Sequence, residues 1–176
     1  MGKLAHRKDI RHIVKRIQES DKTVVTTNGC FDILHVGHVR YLQKTKSFAD
    51  YSVILLNSDK SVKLIKGEGR PINNENDRAE ILCALSCVDY VVLFDEPSPR
   101  ALLDEIKPNI HTKGADYSID TLPEADLIIK NGGRIEFIEF VEGKSTTNTI
   151  DKMKKGNKSC VIARSEFTSD EAIQEE

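Results

Sequence analysis

No run in this 176-residue chain approaches the roughly 20 consecutive apolar residues that cross a bilayer, so a membrane-spanning helix is not expected. Met1–Ser20 alternates Lys and Arg with Ile and Val and has neither an uninterrupted apolar stretch nor a small-residue cleavage site. A secretory leader is therefore not expected, and the expected compartment is the cytoplasm. Cys30, Cys83, Cys87 and Cys160 lack CxxC spacing, which in a reducing compartment reads as free thiols rather than a zinc site or a disulfide framework. Charge of one sign is also missing: a net charge of −2 and a pI near 6.2 leave no electrostatic footprint for nucleic acid. There is no internal repeat, no low-complexity segment and no serine, cysteine or histidine triad for nucleophilic catalysis.

What is present is alternation. Ile10, Ile13, Val14 and Ile17 recur at helical spacing and predict an amphipathic helix over residues 8–19. Strands are expected at Thr23–Thr27, Ser52–Leu56, Tyr90–Phe94, Ile110–Lys113 and Arg134–Phe140, mostly apolar runs of the kind covered on both faces. Between them stand helix signals. Ser98-Pro99 reads as an N-cap with proline at the first helical position, Thr121 with Glu124 as a capping box, and Asn131-Gly132-Gly133 as a stop. Asn74, with Asp77 three residues on, starts a helix expected to run to about Cys87. Strands separated by crossover helices predict a single doubly wound, Rossmann-like α/β domain with a five-stranded parallel sheet. Residues 1–20 form a helix packing on that domain, residues 21–153 the domain itself, and residues 154–176 a tail expected to be partly disordered or an oligomer contact.

In such sheets ligands bind beyond the carboxyl ends of the strands, where the strand order reverses. Directly after the first expected strand the chain reads Asn28-Gly29-Cys30-Phe31-Asp32-Ile33-Leu34-His35-Val36-Gly37-His38. A glycine at the strand end permits close backbone approach, and a helix opening here offers its N-terminal amides to phosphate. His35 and His38, three apart, project from one side of the first turn, where two imidazole donors suit charge building on phosphoryl oxygens. The alternative is that one imidazole caps the helix while the other packs. Two histidines without a third ligand in reach do not make a zinc site.

The other candidates follow later strands. Lys66 in Lys66-Gly67-Glu68-Gly69-Arg70 is a cation on a glycine-rich loop, able to close over a triphosphate, or else part of a solvated loop. Arg78 shares a helix face with Ile81, Leu82 and Leu85 and needs an anionic partner, either a structural carboxylate or a substrate phosphate. Lys113-Gly114-Ala115-Asp116 ends the fourth expected strand, with Asp116 either bonding a base or capping a turn. Ser145, Thr146 and Thr147 follow the last strand and open a helix as a second anion site, with Ser145 also fitting as an N-cap.

His35-Val36-Gly37-His38 resembles the HxGH signature of the cytidylyltransferase-like nucleotidyltransferase superfamily. Leu56–Asp59, Lys66–Asn73, Asp77–Ala79, Lys113–Tyr117 and Glu142–Thr147 are together similar to the D-glycero-β-D-manno-heptose 1-phosphate adenylyltransferases, over residues 20–153. Ala115 departs from that pattern, standing where many members have a second glycine. The resemblance implies transfer of AMP from ATP to a sugar 1-phosphate with release of pyrophosphate, and assembly as a homodimer. It implies catalytic roles for His35, His38, Lys66 and Arg78. Nucleotide contacts fall to Asn28, Gly29, Cys30, Phe31, Gly37, Lys113, Gly114, Asp116, Ser145, Thr146 and Thr147, and the acceptor to Asp32 and Arg78. Mg²⁺ is expected to be held mainly by the nucleotide phosphates. Within the same superfamily an alcohol-phosphate cytidylyltransferase, such as one acting on glycerol 3-phosphate, is the alternative reading. Outside enzymes, the alternative is a nucleotide-sensing module.

Overall fold

The computed structural model describes residues 1–139. In chain order they form β1 (Lys3–Ala5), α1 (Arg7–Glu19), β2 (Val24–Gly29), α2 (Val36–Lys46), β3 (Tyr51–Asn57), α3 (Asp59–Lys66), α4 (Glu75–Ala84), β4 (Tyr90–Phe94), α5 (Arg100–Ile106), β5 (Ile110–Gly114), α6 (Ala125–Lys130) and β6 (Arg134–Ile138). All six strands pair in parallel, in the order β1-β4-β3-β2-β5-β6. The chain builds outward from β2 through β3 to β4, then returns to the other side of β2 for β5 and β6. The reversal falls between β2 and β5.

β3 shows why the sheet must be covered on both faces. Val53 and Leu55 join a core with Ile10 and Val14 of α1, Leu102, Leu103 and Ile106 of α5, and Ile128 of α6. Ile54 and Leu56 point the other way, into a second core with Leu42 of α2 and Ala79, Leu82 and Cys83 of α4. All four β3 residues are fully buried, so a continuous apolar run is what this position requires. Polar groups hold the ends of the strand. Asp89 accepts from the Ser52 amide at 2.7 Å and from Lys46 Nζ at 2.6 Å, and Ser52 Oγ donates to the Cys87 carbonyl at 2.7 Å. At the far end Asn57 Nδ2 donates to Ser61 Oγ at 2.9 Å.

The sheet has six strands rather than the five expected. β1 is a three-residue edge strand on β4, entered through a hydrogen bond from the Gly2 amide to the Cys83 carbonyl at 2.8 Å. Three residues are too few to show a period. α3 was also not expected; Ser58 caps it by accepting from the Ser61 amide, and Lys66 is its last residue rather than part of the loop that begins at Gly67. α4 stops at Ala84, short of Cys87. Pro99, not Ser98, is the N-cap of α5. The Thr121–Glu124 capping box does not form: Thr121 Oγ1 accepts from the Ser118 amide, and α6 starts after Glu124, whose side chain makes no cap bond. Asn74 caps α4 as expected, accepting from the Asn76 and Asp77 amides. Residues 140–176 lie outside the described residues, and with them the end of the last expected strand, Ser145, Thr146, Thr147 and the tail.

The α6–β6 turn leaves no room for a side chain at its last glycine. A Cβ on Gly133 would stand 2.7 Å from the Pro108 carbonyl oxygen, whereas one on Gly69 meets nothing within 4 Å. Gly133→Ala is therefore expected to lower unfolding free energy by about 1–3 kcal/mol, and Gly69→Ala to leave it within about 0.5 kcal/mol, as measured by urea denaturation.

Candidate active site

The carboxyl ends of β2 and β5 flank the point where strand order reverses. Gly29 ends β2 and Gly114 ends β5. Hydroxyls tie these two strands to α2: Thr27 Oγ1 and Tyr41 Oη lie 2.7 Å apart, and Thr45 and Thr112 Oγ1 lie 3.0 Å apart. Deeper in, Thr26 Oγ1 is 2.8 Å from His111 Nδ1. Buried hydroxyls satisfied in this way fix the position of α2 against the sheet.

α2 begins at the mouth of that gap. His35 occupies its N-cap position with extended backbone, but its side chain makes no cap hydrogen bond. The ring instead stacks on His38, with centroids 3.9 Å apart and planes inclined by 25°. Phe31 closes the other side of His38, edge-on at 5.4 Å. Phe31 has φ of +43°, a left-handed conformation uncommon for an aromatic residue, and its ring fills the space above Gly29: a Cβ there would lie 3.0 Å from Phe31 Cε2. Gly29 thus makes room for Phe31, and Phe31 for the histidine pair. Burial, and then the charge of His35, push the His38 pKa down to about 4, so its imidazole is neutral near pH 7. His38 Nδ1 is buried and has no hydrogen-bond partner among the described residues. The two rings stand at a helix N-terminus with no acidic residue in its first turn, an end whose amides and dipole carry partial positive charge.

Two residues expected at the acceptor turn out to hold the framework. The Asp32 carboxylate has no exposure; Oδ2 accepts from Arg70 Nε at 2.6 Å, and Oδ1 accepts from the Ile72 and Asn73 amides at 2.7 and 3.0 Å. It is committed to the 70–73 loop, and its burial keeps it from solvent. Arg78 is 1% exposed and donates to the carbonyls of Asn73, Cys30 and Asn57 at 3.0, 2.6 and 2.8 Å and to Asp59 Oδ1 at 2.7 Å. Of the two partners open to it, the structure supplies the carboxylate. Cys30 remains a thiol: burial raises its pKa, and the charges of Lys66, Arg78 and Arg70 only partly offset that.

On the β5 side, Lys113 Nζ donates to Asn28 Oδ1 at 2.6 Å and to Glu124 Oε1 at 3.2 Å, and lies 5.3 Å from the centre of the Tyr117 ring. Glu124 is 2% exposed and was read from sequence only as a capping residue. Burial acts to raise its pKa, but His111 and Lys113 outweigh it and hold the carboxyl near 2. Burial keeps His111 neutral. Asp116 is exposed on the turn after β5, and its side chain makes no hydrogen bond with the described residues, so it caps nothing. Lys66 is exposed at the end of α3. Gly37 lies in the first turn of α2 between the histidines. Spacing carried no signal for the ion pairs of Asp59, Glu124 or Arg70, because their partners are remote in sequence.

A parallel sheet with an imidazole pair at its switch point fits a nucleotidyltransferase. The cytidylyltransferase-like family model matches residues 26–164, and the chain belongs to that family. It is 49% identical over 152 residues to the bifunctional protein HldE of Syntrophotalea carbinolica, covering 86% of this chain and 31% of the relative. It is 51% identical over 141 residues to the bifunctional protein HldE of Geobacter metallireducens, covering 80% and 29%. The chain thus spans about three tenths of the length of these relatives. A crystal structure of the lipopolysaccharide core biosynthesis protein from Thermoplasma volcanium is 31% identical with a TM-score of 0.56, covering 70% of this chain and 99% of that one.

The lowered pKa of His38 gives a pH test. An unfolded imidazole protonates near 6.5 and the folded one near 4, so the contribution of this group to stability is complete above pH 6.5 and is lost as pH falls between those values. The His38 ring resonances in the ligand-free protein are expected to titrate with a midpoint near 4. A midpoint near 6.5 would mean that the ring is solvated rather than packed.

Proposed function

We propose that this chain transfers the AMP group of ATP to D-glycero-β-D-manno-heptose 1-phosphate, giving ADP-heptose and pyrophosphate, in the cytoplasm. The observation that carries the reading is the stacked His35–His38 pair at the N-terminus of α2, at the sheet's switch point. Nucleotidyl transfer can use such a pair: an acceptor phosphate oxygen attacks the α-phosphorus in line, pyrophosphate leaves, and charge grows on oxygens to which imidazole N–H groups can donate. A neutral His38 can donate from one nitrogen without the repulsion of two adjacent cations. Lys66, exposed at the end of α3, takes the β- and γ-phosphates, as do Ser145, Thr146 and Thr147. Asn28, held by Lys113, lines the nucleotide side with Gly29, Cys30, Phe31, Gly37, Gly114 and Asp116.

The choice of heptose 1-phosphate rests on the Lys66–Asn73 and Lys113–Tyr117 runs. It is supported by the family and by likeness to a protein of lipopolysaccharide core biosynthesis. The donors at this site are imidazole and ammonium groups, which suit phosphate rather than a hard cation. Mg²⁺ is expected to be carried in on the triphosphate oxygens and water. Among the described residues no helix is long and apolar enough to cross a membrane.

The test is pyrophosphate release with Mg²⁺, ATP or CTP, and either heptose 1-phosphate or glycerol 3-phosphate. The ATP and heptose pair is expected to give the highest kcat/KM. His35→Ala and His38→Ala are each expected to lower kcat by about 100-fold or more, roughly 2.7 kcal/mol, while the protein stays folded. Preference for CTP with glycerol 3-phosphate would instead make this an alcohol-phosphate cytidylyltransferase, and no release with any pair would make it a nucleotide-binding module.

A further inference from the structure

An acceptor that carries a phosphate needs a cation to hold it, and Arg78, the arginine singled out by its helix face, has little left to give. Four of its five N–H groups already donate to Asn73, Cys30, Asn57 and Asp59, and the side chain has no exposure. Binding a phosphate there would mean breaking bonds that join several segments of the framework. Arg70 is built the opposite way. Its Nε donates to Asp32, neither Nη makes a hydrogen bond with the described residues, and its side chain is 20% exposed.

Asp32 also aims this guanidinium. Its carboxylate is fully buried and pinned through its other oxygen by the Ile72 and Asn73 amides, so the Nε edge of Arg70 is held against a fixed anion. The opposite edge, with its parallel N–H groups, is left without partners among the described residues, and such an edge can grip two phosphate oxygens at once. The neighbourhood is the right one, because Lys66, Arg78 and Arg70 all act electrostatically on the Cys30 thiol just after β2.

We infer that Arg70, rather than Arg78, binds the phosphate of the acceptor, with Asp32 as the positioning residue that orients it. The inference rests on the reading of this chain as a nucleotidyltransferase acting on a sugar phosphate. Arg70 is 20% exposed but pairs with a buried carboxylate, so each variant is first checked for wild-type-like thermal unfolding, and Arg70→Lys keeps a cation beside Asp32. Pyrophosphate release should be followed with each substrate varied in turn. Arg70→Ala is expected to raise the KM for heptose 1-phosphate by about tenfold or more and to change the KM for ATP by less than about twofold. Arg70→Lys should recover only part of the loss, since an ammonium keeps the charge but not the fork. Asp32→Asn should raise the acceptor KM in the wild-type background and add nothing in the Arg70→Ala background. An equal rise in the KM for ATP, or an unchanged acceptor KM in Arg70→Ala, overturns the inference. Additive effects of the Asp32 and Arg70 changes overturn the positioning role.

A second measurement does not depend on which sugar is the substrate. Methyl phosphate is titrated into arginine-labelled full-length protein saturated with a non-hydrolysable ATP analogue, and the guanidinium resonances are followed by NMR. Arg70 resonances, assigned through Arg70→Lys, are expected to shift while those of Arg78 stay in place. A shift at Arg78 alone, or at neither, overturns the inference. If no sugar phosphate supports pyrophosphate release by the wild-type protein, the proposed reaction fails while this titration still decides the role of Arg70.

Discussion

A guanidinium buried without partners costs several kcal/mol, and Arg78 sits where that penalty disciplines the whole site. Its four acceptors come from four places: the residue after β2, the end of β3, the start of α3, and the loop before α4. None can drift without leaving a buried donor unpaired. Asp32, two residues after Cys30, then carries the 70–73 loop on one carboxylate. The segment that holds the histidines and the loop that follows Lys66 are thus referenced to the same buried charges. The positions of the histidine segment and of the 70–73 loop follow from these two side chains.

The β5 side solves a related problem with different chemistry. Lys113 would be a costly cation at 15% exposure were it not met by Glu124, and Glu124 would be a costly anion without Lys113 beside it. The pair leaves Asn28 with a charged donor on its amide oxygen and so fixes which way that side chain faces. By contrast the helix α2 side presents stacked imidazoles and an aromatic edge, and the His38 ring is neutral near pH 7. One wall of the gap is thus held by paired charges and the other by packed rings.

Much of this was legible in the sequence. Alternating apolar runs and helix signals gave away a doubly wound sheet because strands buried on both faces admit little else, and the HxGH spacing located the imidazole pair because three residues is one helical turn. The Asn74 cap was readable for the same local reason. What escaped was non-local or too short. β1 has three residues at an edge, and α3 leaves Leu64 and Ile65 exposed, so neither shows a clean apolar stripe. Thr121 and Glu124 have the spacing of a capping box, but Glu124 is drawn away by Lys113 and His111 across the fold. The same blindness affected Asp32 and Arg78: their residue types announce a need for partners, and only the folded chain says which partners are nearest.

β3 is apolar on both faces, and this has a cost that its burial conceals. In a strand with one wet face, slipping by a single residue puts polar side chains into the core, so hydrophobicity itself rejects the wrong alignment. Along Val53–Leu56 such a slip would merely exchange one aliphatic set for another between two cores that both accept them. Alignment must then be enforced at the ends, by Asp89 on the Ser52 amide and by the Asn57 carbonyl on Arg78. Polar residues at the rims of the strand act as its index marks, and the interior supplies cohesion without supplying an address.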